Sequence, residues 1–174
     1  MKKILAAVLI LTLLLGCASA EALRVAALKG PTAMGMVKMM SDDDGSSYAF
    51  DIHAAADEIT PKLVQGALDV AALPANLAAV LYQRTKGELQ VLAVNTLGVL
   101  YIAERGDSIH SVSDLKGRTI YSAGKGSTPE FALNYILRQN GLEPGVDVTI
   151  EYKSEHAECL SALMTDAEAC AMLP

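Results

Sequence analysis

The chain has 174 residues, room for one ordinary domain or two small lobes. Hydrophobic residues make up 52% and charged ones 20%, which supplies a core and argues against disorder. A formal charge of -6 with no basic block speaks against nucleic acid as a partner, yet leaves room for a small anion, because local backbone donors decide that kind of binding.

At the N-terminus, Lys2 and Lys3 precede the apolar run "ILAAVLILTLLL". This pattern predicts an export signal over residues 1–20 and is short for a membrane span. Two cleavage sites compete. "LLGC" resembles a bacterial lipobox, which would cut before Cys17 and lipidate it, although Leu15 is bulky for that position. "ASA" at 18–20 fits the small-x-small rule and would cut before Glu21. Either route exports the protein to the periplasm or to the outer face of the membrane.

"LRVAAL" (23–28) reads as a buried strand and "KGPT" as its end. "AMGMVKMM" reads as a helix whose methionines pack in the core. "SDDDGSS" is a solvated turn whose contiguous acids do not match a calcium loop. "YAFDIHAA" alternates as a strand with His53 in or beside the core. In the helix that follows, Thr60 and Pro61 suit the cap and first position, with Asp57 as an earlier start. "VAAL" (70–73) is a short strand that Pro74 stops, and "ANLAAVLYQRTKG" is a helix. "LQVLAVNTLGVLYIAE" (89–104) is extended, apolar and too long for one strand of so small a unit, so it is read as a crossing between lobes.

The pattern then restarts. "GDSIHSVSDLKG" holds a helical turn with Ser113 as cap, and "RTIYSAG" is a strand. "STPEFALNYILRQNG" is a helix with Ser127 or Thr128 as cap, Pro129 and Glu130 in the first turn and Gly141 beyond its end. "VDVTIEYK", "SEHAECLSALMTD" and "ACAML" give strand, helix and strand. Strands alternating with helices predict parallel α/β structure. Cys159 on the helix and Cys170 on the strand are read as small buried hydrophobes, with a disulfide the alternative in an exported protein.

Two echoes link the halves. "AALKGPT" (26–32) matches "SAGKGST" (122–128) at Ala27/Ala123, Lys29/Lys125, Gly30/Gly126 and Thr32/Thr128. "ALDVAALP" (67–74) matches "AEACAMLP" (167–174), ending on Pro74 and Pro174. Each half thus runs strand, A-x-K-G-x-T turn, helix, strand, helix, strand, Leu-Pro. Such a turn delivers the chain to the carboxyl edge of a parallel sheet, where glycine permits close approach and free helix N–H groups favour an anion. One such turn would be ordinary; two in joined lobes predict a shared cleft.

Catalytic and metal motifs fail. "AGKGST" has the wrong order for a phosphate loop, and no G-x-S-x-G surrounds Ser127. His53, His110 and His156 lie at no ligand spacing, and the last two read as solvated. No metal, cofactor or catalytic residue is expected.

The leader, "LRVAALKGPTAMGMVK", "LVQGALDVAALP" and "SVSDLKGRTIYSAGKGSTPEFALNYIL" resemble the extracytoplasmic solute-binding proteins of bacterial ABC importers. The similarity points to the nitrate, sulfonate and taurine type, related to thiamine-pyrimidine synthase-like domains. It implies a type II periplasmic-binding-protein-like α/β fold, with two lobes closing on a small ligand that a membrane permease receives. The expected layout is a signal over 1–20, lobe one over 21–95, a crossing over 96–104 and a partial lobe two over 105–174. The implied protein is a monomer and not an enzyme.

By position, the resemblance lines the cleft with Lys29, Gly30, Pro31, Thr32, His53, Ala54, Asn76 and Thr96 from lobe one and the crossing, and with Ser122, Gly126, Ser127 and Thr128 from lobe two. With no arginine among them, an anionic, zwitterionic or neutral heterocyclic ligand all remain open. Such proteins cross between lobes twice, whereas this sequence supplies one crossing, so the second lobe is expected to be incomplete. The alternatives are a truncated remnant that does not bind, or a same-fold enzyme of pyrimidine-precursor metabolism.

Overall fold

The computed structural model describes residues 21–174; the export segment and Cys17 lie outside the described residues. Two α/β lobes follow one another, each built on its own sheet.

In lobe one, β1 (Leu23–Leu28) lies between β2 (Tyr48–His53) and β3 (Val70–Ala72), all parallel. Val25, Ala26 and Ala27 are fully buried, as expected for a central strand covered on both faces. The expected methionine helix is two short ones, α1 (Pro31–Met34) and α2 (Val37–Asp42), and neither buries a residue. The break at Gly35 and Met36 destroys the continuous apolar stripe that a core helix needs, so the methionines are not core.

The next helix, α3 (Ala56–Val64), starts a turn earlier than Thr60–Pro61 suggested, in line with the Asp57 alternative. Glu58 reaches back to the Ala55 N–H at 3.1 Å, and Ile59 is drawn fully into the core. Pro61 sits inside the helix, where its missing N–H leaves only the exposed Asp57 carbonyl without a helical partner. Helix α4 (Ala75–Arg84) closes the lobe.

In lobe two, β5 (Thr119–Ala123) lies between β6 (Thr149–Lys153) and β7 (Cys170–Leu173), again parallel. Strand β4 (Tyr101–Glu104) completes this sheet antiparallel to β7, with Tyr101 opposite Leu173. The last residues of the expected crossing are therefore a strand. The helical turn at Val112–Leu115 is capped by Ser111 rather than Ser113, because Asp114 accepts from the Ser111 N–H at 2.8 Å. Helix α5 (Thr128–Gln139) places Leu133 and Leu137 in a core with Leu115, Ile120, Val148 and Met172. Helix α6 (His156–Thr165) packs Cys159 and Leu163 on the other face, against Ala123 and Ala171. Cys159 and Cys170 are both buried and unpaired. Burial pushes both thiols up in pKa.

The sheets share one plan, β2-β1-β3 matching β6-β5-β7. A third correspondence joins the two echoes. Glu58 and Glu158 both accept a backbone N–H at their helix start, from Ala55 and Ser154, and Ile59 and Cys159 are both fully buried.

Candidate functional site

The loops that leave the carboxyl ends of the strands converge where the lobes meet. Asn76, at the start of α4, reaches the start of α5. Thr128 Oγ1 donates to Asn76 Oδ1 at 3.0 Å, and Asn76 Nδ2 donates to the Gly126 carbonyl at 3.3 Å. A second link is ionic, with Lys29 Nζ 3.6 Å from Glu155 Oε2. Three of the expected site residues, Asn76, Gly126 and Thr128, are thereby brought together, with Lys29 at the same junction.

The turn of lobe one is held from both sides. The Lys29 N–H donates to the His53 carbonyl at 2.9 Å. Gly30 has φ 92°, a backbone that side-chain-bearing residues avoid, and Pro31 then opens α1. The crossing ties down the far end of this turn. Asn95 Nδ2 donates to the Thr32 carbonyl at 3.0 Å and Thr96 Oγ1 to the Pro31 carbonyl at 3.3 Å. Thr96 thus acts here through the backbone of the turn. The Thr32 hydroxyl makes no hydrogen bond among the described residues, and Ala54 is exposed just past β2.

His53 is buried, as the sequence suggested, and both ring nitrogens are engaged. Nε2 lies 2.7 Å from Asp51 Oδ2 and Nδ1 lies 3.1 Å from Glu58 Oε2. Lys62 Nζ adds a bond to Asp51 at 3.1 Å. Lys62 first, and His53 after it, hold the Asp51 carboxyl below the usual range; for Glu58 the leading cause is His53. The imidazole is built into the wall of lobe one, and what this residue gives the junction is its carbonyl.

The turn of lobe two is more tightly made. Ser127 is buried and turns its Oγ back to the Gly124 carbonyl at 2.7 Å, so its side chain fixes the turn and caps no helix N–H. Gly124 must stay small, since a Cβ there would come within 2.7 Å of that Oγ. Ser122 is fully buried in β5, with Oγ donating to the Ala123 carbonyl at 3.2 Å. Gly126, with φ 76°, aims its N–H at Glu130 Oε2, 2.5 Å away.

Four residues at the junction escaped the sequence reading. Glu130 was read only as a favourable first-turn charge, although Ser127-x-x-Glu130 has capping-box spacing. Tyr152 stands beside it, its hydroxyl pushed up to about 12 by burial and then by Glu130. Lys125 Nζ lies 5.6 Å from the Tyr152 ring centre. Glu155 and His156 begin α6, the counterpart of Ala55 and Ala56, and the offset shared by Glu58 and Glu158 would have found them. His156, expected to be solvated, is half-buried because α6 packs over it. Its Nδ1 has no partner among the described residues, and burial lowers its pKa.

Among the described residues no group of acidic, histidine and cysteine side chains forms a metal site, and no helix is long and apolar enough to cross a membrane. Two surface concavities lie away from the junction, one by Arg118 and Glu168, the other by Arg24 and Lys62.

Residues 35–174 match the family model described as "ABC transporter, phosphonate, periplasmic substrate-binding protein". No curated protein matches in sequence. Among solved structures, the periplasmic aliphatic sulphonate binding protein SsuA from Escherichia coli is similar, with a TM-score of 0.58 and 22% identity over 88% of this chain and 54% of that one. The alkanesulfonate-binding protein SsuA from Xanthomonas axonopodis pv. citri, bound to MOPS, has a TM-score of 0.58 and 18% identity over 90% and 55%. An ancestral arginine-binding protein bound to arginine has a TM-score of 0.59 and 19% identity over 88% and 70%. At these identities the likeness establishes the type II periplasmic binding fold. The chain spans about half the length of the two sulfonate-binding proteins it matches.

Proposed function

Since the chain belongs to the family of periplasmic substrate-binding proteins of ABC transporters that the phosphonate model describes, we propose that it captures a small organic phosphonate or sulfonate between its lobes for delivery to a membrane permease. The observation that carries this reading is the pairing of Asn76 with Gly126 and Thr128, which sets the strand-end loops of both lobes against each other. Ligands of parallel α/β sheets bind at such edges.

The donors suit tetrahedral oxyanions. Lys29 supplies a cation, Gly126 an N–H, Thr32 and Thr128 hydroxyls and Asn76 an amide. Glu155 and Glu130 occupy the first two of these with carboxylate oxygens, which shows the donors' affinity for anionic oxygen. The family description names phosphonate, and the two sulfonate-binding proteins share the fold. Pro31 with Gly30, Ser127 with Ser122, and Thr96 shape the walls. His53 and Ala54 mark the end of β2. This assignment narrows the broader nitrate, sulfonate and taurine resemblance. It also takes the protein to be exported, with Cys17 as the lipid anchor where the lipobox is used.

Thermal unfolding with methylphosphonate, ethanesulfonate or arginine tests the reading. A ligand at a hundred times its Kd stabilises by about 2.7 kcal/mol. A rise in Tm with the phosphonate or the sulfonate, reduced in Asn76→Ala and Thr128→Val, is expected. A rise with arginine alone would instead favour an amino-acid ligand, whose ammonium Glu155 could take. No rise with any of the three would defeat the proposal.

A further inference from the structure

Lobe one has an edge without a strand, and the segment after it is a strand without an edge. In the second sheet the order β6-β5-β7 is completed by β4, antiparallel on β7. In the first sheet the matching order β2-β1-β3 stops at β3. Val70–Ala72 are only partly covered, where Cys170, Ala171 and Met172 are buried. The shared Leu-Pro ending makes β3 the counterpart of β7, so the molecule itself shows what this edge accepts: a short, apolar, antiparallel strand.

Residues 90–97 belong to no helix, strand or turn and make no backbone-to-backbone hydrogen bond among the described residues. Val91, Leu92, Val94 and Leu97 are 64%, 80%, 66% and 83% exposed. Unpaired backbone carrying exposed apolar side chains is a template for strand pairing. The segment does not suit its own edge. It follows β3 through α4, a crossover that delivers a strand parallel to the first, and Asn95 and Thr96 are fastened to α1. An antiparallel occupant of the β3 edge must arrive from elsewhere.

Edge and segment, carried on one chain, complement each other, so a single two-fold axis satisfies both. We propose that two copies of the chain exchange residues 90–97, each laying this segment antiparallel along the other's β3. The four side chains form an apolar patch of roughly 300–600 Å², the size that marks interaction sites. The exchange counts each patch and each edge twice, which brings the buried area to the order of 1,200 Å² that a stable interface needs. The assembly departs from the monomer that the family resemblance implies.

Sedimentation of protein recovered after expression of the full chain, across a wide concentration range, tests this. A dimer is expected, converted to monomer by Leu92→Lys with Val94→Lys, both at exposed positions, with the circular dichroism unchanged. Hydrogen exchange at Val70–Leu73 in the unsubstituted protein gives a second readout: it should be slow in the dimer and faster on dilution. A monomer at every concentration would overturn the proposal, as would a dimer indifferent to the two lysines. A monomer whose β3 amides are nonetheless protected would also overturn it, since some other strand would then cover the edge.

Discussion

Thr128 Oγ1 donates to Asn76 Oδ1 at 3.0 Å, and through this contact the first helix turn of lobe two is fastened to that of lobe one. The same Asn76 donates to the Gly126 carbonyl, so one side chain holds both ends of the turn. Asn76→Ala removes both bonds. Because the site is partly solvated, the stability loss should be no more than about 1 kcal/mol. The lobe separation should respond more strongly, as a larger radius of gyration in X-ray scattering. Identical scattering curves would mean that the latch does not set the lobe angle.

Arg24 and Asp69 give a prediction about pH. The guanidinium donates to both carboxylate oxygens, at 2.9 and 2.7 Å, and the Arg24 N–H adds a third bond at 2.8 Å. These bonds lower the Asp69 pKa from 3.8 to about 2, the Arg24 side chain contributing most. A depressed carboxyl stabilises the fold above its unfolded pKa and loses that contribution as pH falls through the folded one. Asp69→Asn should therefore unfold at lower urea than the parent at neutral pH. The gap should narrow between about pH 4 and pH 2. A gap that stays constant over that window would show that the pair contributes nothing through its charge.

Gly124 and Gly126 both have φ 76° but differ in surroundings. A Cβ at Gly126 meets nothing within 4 Å, so Gly126→Ala should cost only the backbone term, about 1 kcal/mol. At Gly124 the same atom would press on Ser127 Oγ and on Pro129. Gly124→Ala should therefore cost more, roughly 2–4 kcal/mol, with the clash added to the strain. Chemical denaturation of the two variants decides it, and equal losses would rule out the packed turn.

The faces of α5 can be told apart in the same way. Leu133 is fully buried among Ile120, Leu137 and Met172, and Leu133→Ala should cost about 2–5 kcal/mol. Phe131, two residues away, is mostly exposed, and Phe131→Ala should change stability by less than about 0.5 kcal/mol. A large loss at Phe131 in dilute protein would reveal a partner on that face.

Much of the fold was legible because it follows local rules. Alternation of short apolar runs with helical stretches gave the strands and their parallel sense, and A-x-K-G-x-T with Leu-Pro marked the two halves. Errors fell where tertiary contacts overrule local preference. Pro61 looked like a helix start, but burial of Ile59 and the reach of Glu58 pull the start back. Ser113 looked like a cap, but the Asp114 carboxylate selects Ser111. The methionine run looked like core, but its break at Gly35 leaves it on the rim.

By itself the sequence determined the α/β class, the duplicated plan and the glycine turns at the sheet edge, since each depends on residues close together in the chain. Only the tertiary structure decided what those turns face. Asn76 meets Gly126 and Thr128, Glu155 meets Lys29, and His53 is spent between Asp51 and Glu58. These are pairings of groups far apart in sequence, set by strand register and lobe placement, and hydrogen-bond geometry changes within an ångström that composition and spacing do not resolve.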